Sequence, residues 1–392
     1  MGILALVVGA WVATLAGYRR ALHARWREPV FLAPVLVLES DDWGAGPAEQ
    51  GPALRGLAAL LAEFTNAAGE HPVMTLGVIL AHPVGVAPDG TLAVETLADD
   101  AQAAVREAIH AGLADGVFAA QLHGVVHACE PALLRAAQAD PAVADWLAAA
   151  EPRWTETLPS PLQSAWTDAS CLPSHALATA HIQSVSAREQ ALWGQVFGAP
   201  PTVVVPTTFV WTEQVERAWD THGVRVVITP GRRYTGRGPC GEPTAVDRQM
   251  LNGERGWGDL RYLVRDLYFE PSLGHDPGRL ADGVHAHAAL GRPALVEMHR
   301  FNFCGPRAHA EGLALLRDAL ARVLRTCPDV RFASSARIAQ AIAARDPAWI
   351  VLSRRGRLRA WLRRVREIRG FWRLARITGL ALPLMLAQRV VA

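Results

Sequence analysis

The chain has 392 residues, of which 51% are hydrophobic and 19% charged, and its formal net charge is +2. This composition supports a large buried core, which excludes general disorder. The five cysteines form no CxxC pair or Cys/His zinc spacing, which argues against a disulfide framework and fits a reducing compartment.

The first 28 residues are predicted to be an apolar N-terminal segment and a candidate membrane anchor. Residues 2–17 are apolar, and they are followed by Arg19, Arg20, Arg25 and Arg27. A secretory signal carries its positive charge before the apolar run, so this segment does not fit that pattern. Its apolar run is slightly short for about 30 Å of hydrocarbon, and the arginines that follow favour a cytoplasmic location for the rest of the chain.

Residues 29–348 alternate between strand-like apolar runs and helical patterns, which is typical of βα units. The predicted strands are 35–38, 73–80, 117–122, 202–205, 224–228, 262–264, 294–298 and 330–332. The predicted helices are 47–64, 95–114, 131–149, 212–222, 307–325 and 335–345. Seven or eight such units predict one α/β barrel rather than two domains. Residues 150–180 and 230–260, rich in Pro, Gly, Ser and Trp, are predicted to be long loops over one face.

The last segment, 349–392, is rich in arginine and tryptophan. Residues 354–376 contain ten arginines and one acid, Glu367, and residues 377–387 are apolar. Arginine stems and aromatic rings suit the headgroup level of a bilayer, so this tail is predicted to lie on an anionic membrane surface. The alternatives are a solvated basic tail or a nucleic-acid patch. Because both ends of the chain indicate a membrane, we expect a membrane-associated protein on the cytoplasmic face and no nucleic-acid partner.

Polar residues with metal or acid–base chemistry follow three of the predicted strands. Asp41 and Asp42 follow the first strand, His123 and His127 follow the third as His-x-x-x-His, and His299 follows the seventh. The carboxyl ends of barrel strands are where active sites are built. Two histidines four residues apart share a face of one helical turn and can bind one metal ion. The alternatives are turn caps for the aspartates and a buried, hydrogen-bonded role for His299.

Together these residues predict a hydrolytic metal site. Asp42 and the two histidines supply one carboxylate and two imidazoles, and they leave a position open for water. Asp41 is the candidate base and His299 the candidate acid, because hydrolysis of an amide or ester needs two proton-transfer groups. No P-loop or GxGxxG segment suggests a nucleotide site.

The order and spacing of these motifs resemble the polysaccharide deacetylase (NodB homology) superfamily. Residues 39–42 (Glu-Ser-Asp-Asp) are similar to its Thr-Phe-Asp-Asp motif, residues 123–127 to its His-Ser/Thr-x-x-His motif, and residues 297–299 to its Leu-x-His motif. The resemblance implies a distorted (β/α)7–8 barrel of the deacetylase type. It also implies that Asp41 is the base and that Asp42, His123 and His127 are metal ligands. His299 would be the acid.

The third motif of that family, Arg-x-Pro-Tyr, is matched only in part. It aligns with residues 205–208 (Val-Pro-Thr-Thr), so Val205 replaces the arginine that holds the base and Thr208 replaces the tyrosine. A backbone donor to the developing oxyanion survives such a change of side chain. Arg265 or Arg300 is the candidate substitute for the missing arginine.

The resemblance further implies an acetylated substrate and a divalent cofactor. We expect removal of acetyl groups from an N- or O-acetylated sugar or polysaccharide, including a lipid-linked sugar, by a water molecule held on the metal. Zinc is expected, with nickel, cobalt or manganese as alternatives. The predicted substrate contacts are Thr207, Thr208, Trp43, Trp211, Arg300 and His82, although core packing is equally consistent with the two tryptophans. The alternative functions are hydrolysis of another non-peptide amide and a degenerate, glycan-binding barrel at the membrane.

Overall fold

The computed structural model describes residues 2–149, 153–305, 308 and 311–391. The strands in these residues are β1 (Val35–Gly44), β2 (Met74–Ile79), β3 (Ala81–Val86), β4 (Leu92–Thr96), β5 (Phe118–Leu122), β6 (Val203–Val204), β7 (Val226–Thr229), β8 (Arg232–Arg237), β9 (Pro243–Gln249), β10 (Arg261–Val264), β11 (Leu267–Tyr268), β12 (Ala294–His299) and β13 (Arg331–Phe332). The α-helices are α1 (Gly2–Gly17), α2 (Arg19–Arg27), α3 (Gln50–Ala62), α4 (Ala103–Ala114), α5 (Glu130–Ala139), α6 (Pro141–Ala148), α7 (Thr179–Phe197), α8 (Glu213–Thr221), α9 (Gly278–Ala289), α10 (Gly312–Thr326), α11 (Ser335–Ala344), α12 (Arg354–Arg364), α13 (Arg369–Ile377) and α14 (Ala381–Val391).

One curved parallel sheet organises the middle of the chain. Eight of its strands lie in the order β10-β7-β6-β5-β2-β1-β12-β11, and β13 pairs with the start of β1. Every pairing in this sheet is parallel. All ten residues of β1 are buried, as expected for a central strand that is covered on both faces. The predicted distorted α/β barrel is therefore confirmed.

All eight predicted strands are present, and the structure adds elements that the sequence pattern did not reveal. The 19-residue helix α7 was not predicted. It buries a regular stripe, but two members of the stripe, Ser186 and Glu189, are polar, so its apolar periodicity is broken. The predicted loop 230–260 contains the antiparallel hairpin β8–β9, and a second hairpin, β3–β4, follows β2.

The two ends of the chain pack together rather than extending into solvent. Leu22 of α2 shares a small hydrophobic cluster with Phe371 and Ala375 of α13. Arg364 of α12 is completely buried and donates to the carbonyl oxygens of Glu28 (2.9 Å) and Gly291 (2.9 Å). The arginine-rich tail is thus a set of docked helices. Among the described helices none is alone long and apolar enough to cross a membrane, and α13 and α14 meet that test only as a pair bent by 108°.

Candidate metal centre and active site

Asp42, His123 and His127 bring three potential metal ligands together. Asp42 Oδ1 lies 3.3 Å from His123 Nε2 and 3.2 Å from His127 Nε2. One ligand atom from each of the three residues lies within 4.8 Å of the other two, and all three side chains are buried. The structure therefore brings together the three ligands that the sequence predicted.

An irregularity in β1 allows the two adjacent aspartates to face different partners. The register between β1 and β2 shifts between Ser40 and Trp43, and Asp42 has a φ of +74°. Such a bulge re-aims the side chains next to it, and positive φ is uncommon for a residue other than glycine. Asp42 consequently faces the histidines, whereas Asp41 faces a buried arginine.

The two histidines lie on a loop, so the predicted helical turn between them is wrong. His123 is the first residue after β5, and the segment to His127 contains bends rather than helix. Gly124 has a φ of +118°, and its carbonyl oxygen accepts a hydrogen bond from Leu80 N–H (3.1 Å). The loop thus pairs with the backbone that follows β2, and this pairing, not helical spacing, brings the histidines together.

The donor set fits a divalent cation. His123 Nδ1 donates to the carbonyl oxygen of Val205 (2.8 Å), which leaves Nε2 as the lone-pair atom facing Asp42. Within the part of the chain that the structure describes, the buried atom Asp42 Oδ1 has no hydrogen-bond partner. Burial lowers the pKa of His127 to about 4 despite the charge of Asp42, which favours the neutral form that binds metals. A buried carboxylate oxygen between two imidazole nitrogens is the arrangement that a divalent ion would satisfy.

Asp41, the candidate base, is held by Arg265. Arg265 Nη2 donates to Asp41 Oδ2 at 2.5 Å, and both side chains are almost fully buried. Burial raises the pKa of Asp41, but the charges of Arg265 and His123 outweigh it, so the pKa lies below its usual range. Two more carboxylates, Glu39 and Glu297, lie 3.6 and 3.7 Å from Arg265 Nε. Burial raises the pKa of both, that of Glu39 to about 7, whereas the pKa of Asp41 is lowered.

Arg265 makes the contact with the candidate base that the resemblance would assign to the missing arginine. It directly follows β10, whereas Val205, which aligns with the family's arginine, is buried in a second hydrophobic cluster that includes Val37 and Val203. The other candidate, Arg300, forms no hydrogen bond or ion pair with Asp41 among the described residues. Its guanidinium forms two hydrogen bonds with the carboxylate of Glu156, at 2.9 and 2.8 Å.

His299, the candidate acid, lies beside Asp41 and is held by a residue that the sequence did not reveal. The two residues are register partners on the neighbouring strands β1 and β12. His299 Nδ1 bonds to Glu270 Oε1 at 2.5 Å, and its backbone N–H donates to Glu270 Oε2 at 3.3 Å. Burial lowers the pKa of His299, but the Glu270 carboxylate more than compensates and raises it to about 10. Nδ1 is therefore engaged by Glu270, and Nε2 is the nitrogen left for a substrate.

These groups line one pocket of about 160 Å³. The pocket wall contains all five predicted catalytic and metal-binding residues, together with Arg265, Glu297 and Thr208. Phe209 and Phe301 add aromatic walls, and Phe301 stacks on the His299 ring with centroids 5.2 Å apart. The loop after residue 152 contributes Glu156 and Gln163, in agreement with a long loop over this face.

The other predicted substrate contacts lie outside this pocket wall. Trp43 and Trp211 are completely buried, and their indole N–H groups donate to Ser40 Oγ (2.8 Å) and Glu216 Oε1 (2.9 Å). They are core residues, because a fully buried ring presents no face to a sugar. Three further predicted contacts, all buried, are also absent from the pocket lining: Thr207, His82 and Arg300.

No family model matches the chain, and no curated protein matches it. Among solved structures, it is similar to a protein described as a polysaccharide deacetylase from Mycobacterium smegmatis, with 14% identity over 83% of this chain and 99% of that one and a TM-score of 0.42. It is also similar to a family 4 carbohydrate esterase from Streptomyces lividans, with 12% identity over 81% of this chain and 97% of that one and a TM-score of 0.37. A third similar structure is a 4-alpha-glucanotransferase from Thermococcus litoralis, with 8% identity over 79% of this chain and 40% of that one and a TM-score of 0.40.

Proposed function

We propose that this protein is a metal-dependent hydrolase that removes acetyl groups from an N- or O-acetylated sugar or polysaccharide. The observation that carries the proposal is the convergence of three buried ligand atoms with Asp41 and His299 in one small pocket. The motifs that resemble polysaccharide deacetylases supply the substrate class.

Asp42, His123 and His127 would hold the metal ion. Two imidazoles and one carboxylate are a ligand set used by zinc hydrolases, which favours zinc. A divalent ion bound there would polarise the substrate carbonyl and lower the pKa of water. The backbone acceptor on His123 Nδ1 would keep its Nε2 directed at the ion.

Asp41 would act as the general base. Its Oδ2 is engaged by Arg265, and its Oδ1 is buried without a hydrogen-bond partner among the described residues. The free oxygen can accept the proton of an attacking water molecule, while the arginine keeps the carboxylate oriented and ionised. The contact also opposes a degenerate barrel, because the base retains the cation that positions it.

His299 would donate the proton to the departing nitrogen or oxygen. Glu270 binds Nδ1, so the proton on Nε2 is the one available to the substrate. Asp41 and His299 lie side by side on paired strands, which provides a base and an acid on the same pocket wall. A pocket of about 160 Å³ is large enough for a short acyl group, so the sugar would lie over its mouth.

We also propose that the protein lies on an anionic membrane surface. Helix α1 is apolar throughout and exposes Leu4, Leu6, Val8 and Val12, whereas α14 exposes Leu382, Leu386 and Val390 at intervals of four residues. Side chains four apart share one face of a helix, so α14 presents an apolar stripe. These exposed apolar surfaces, in a part of the chain rich in arginine, support an interfacial location.

The decisive experiment measures metal content and acetate release on the same full-length protein. Zinc-loaded protein is expected to release acetate from N-acetylglucosamine oligomers or O-acetylated xylan. The Asp41→Asn variant should keep its zinc, because a base is not a ligand. Its rate of acetate release should be about 10²–10⁴-fold lower. Zinc-loaded protein that releases no acetate from any acetylated glycan would overturn the proposal.

A further inference from the structure

A second cavity, of about 640 Å³, lies between helix α2 and the barrel. Its wall includes Val30, which precedes β1, and Arg261, the first residue of β10. The cavity is therefore at the amino-terminal end of the parallel strands. The catalytic pocket is built at their carboxyl ends, so the two sites are on opposite ends of the barrel.

The wall of this cavity carries a large excess of positive charge. Seven of its residues are arginines and two are glutamates. Both glutamates are already paired: Glu28 binds Arg292 at 2.7 Å, and Glu254 binds Arg248 at 3.0 Å. The remaining positive charge has no counterpart on the cavity wall.

Four of the arginines are available to a ligand. The side chains of Arg20, Arg27, Arg255 and Arg345 make no hydrogen bond or ion pair with any residue that the structure describes. Burial and the nearby charge of Arg345 lower the pKa of another lining arginine, Arg357. Like charges confined to one cavity repel each other, and a bound anion relieves that repulsion.

We propose that this cavity binds a ligand with a phosphate group. Guanidinium groups bind phosphate oxygens through paired hydrogen bonds, and the free arginines belong to three separate segments of the chain. A phosphate presents oxygens in several directions, whereas one guanidinium can occupy both oxygens of a carboxylate. The volume is within the range of small-ligand sites. The ligand is a phospholipid headgroup or a free phosphate compound, and the inference does not depend on the proposed hydrolase activity.

The first test is calorimetric titration of the full-length protein with inorganic phosphate at constant ionic strength. The variant Arg27→Gln/Arg255→Gln/Arg345→Gln removes three free guanidinium groups without breaking a hydrogen bond of the described residues. We expect phosphate binding to weaken by about tenfold or more, because hydrogen bonds to charged groups contribute substantially.

The matched control removes the same charge elsewhere. Arg55, Arg232 and Arg325 are exposed and do not line the cavity, so their triple glutamine variant should bind phosphate as the wild type does. Both variants are then mixed with phosphatidylcholine vesicles with and without phosphatidic acid. If only the cavity variant loses binding to phosphatidic acid, the source is a lipid headgroup. If it loses phosphate binding alone, the source is a free phosphate. Equal binding of phosphate and vesicles by the two variants would overturn the proposal.

Discussion

Arg265 and Asp41 are hydrogen-bonded at 2.5 Å although one follows β10 and the other belongs to β1, five positions away in the sheet. In a flat sheet, five steps of about 4.8 Å would separate them by about 24 Å. The chain passes from β10 at one edge of the sheet to β11 at the other edge within two residues, and β11 is only two strands from β1, so the contact depends on the curl that brings the two edges together. It also shows how a chain without an arginine at position 205 can still hold the candidate base.

Replacing Arg265 by glutamine is expected to lower activity and stability while metal content stays the same. Asp41, Glu39 and Glu297 would lose their cation, and breaking a buried ion pair costs about 3–5 kcal/mol. The rate of acetate release should fall about 10²–10⁴-fold, because the base loses its orientation and charge. The measurement is kcat alongside zinc stoichiometry and Tm.

The matched control for this variant is Arg364→Gln, which removes another completely buried arginine far from the pocket. It should lower Tm in the same way and keep kcat. If the two variants have equal kcat, Arg265 has only a structural role.

Gly77→Ala is expected to displace Asp41. A Cβ atom at position 77 would lie 2.4 Å from Asp41 Oδ1, which is far too close for two unbonded atoms. Because the core on both sides is packed, the carboxylate or the strand must move, and kcat should fall by at least about tenfold. Gly194→Ala in α7 is the control, since nothing lies within 4 Å of the place that its added methyl group would take, and alanine favours a helix by about 0.5–1 kcal/mol. Full activity of the Gly77 variant would place the base elsewhere.

Loss of one imidazole ligand is expected to empty the metal site. Outer-shell changes already cost about 10–100-fold in metal affinity, so His127→Ala should cost more. His82→Ala is a suitable control, because His82 is also a buried histidine but does not line the pocket. Zinc retained at full occupancy in the His127 variant would show that the site is assigned to the wrong residues.

Glu270→Gln tests the acid through the pH profile. The Glu270 charge raises the pKa of His299 to about 10, against the lowering effect of burial. Without that charge the pKa of His299 falls, so the protonated form required of an acid is lost at a lower pH. The alkaline limb of kcat should consequently move to lower pH. An unchanged alkaline limb would assign the acid role to another group.

Much of this architecture was predictable because strand-end residues and apolar runs are local signals. The five predicted catalytic and metal-binding residues line one pocket, and all eight predicted strands are present. Arg265 and Glu270 were harder to assign, because they flank the two-residue strand β11 and contact residues that are far away in sequence, Asp41 near the end of β1 and His299 at the end of β12. The prediction of the two tryptophans as sugar contacts was wrong, since proximity in sequence does not show which side of a bulged strand faces the pocket.

The last prediction concerns the apolar stripe of α14. Removing the whole tail is not a clean test, because the buried Arg364 binds backbone oxygens at Glu28 and Gly291. Leu386→Glu/Val390→Glu instead changes two side chains that are 60% and 77% exposed, so the fold should be retained.

Binding to vesicles of phosphatidylcholine and phosphatidylglycerol is expected to fall in this variant, because a charged stripe cannot enter the acyl boundary. The control is Leu273→Glu/Leu32→Glu, which places the same charge at leucines that are 59% and 56% exposed on the barrel. Flotation separates bound from free protein for the wild type and both variants. If the α14 variant floats as completely as the control, then α14 is not the surface that contacts lipid.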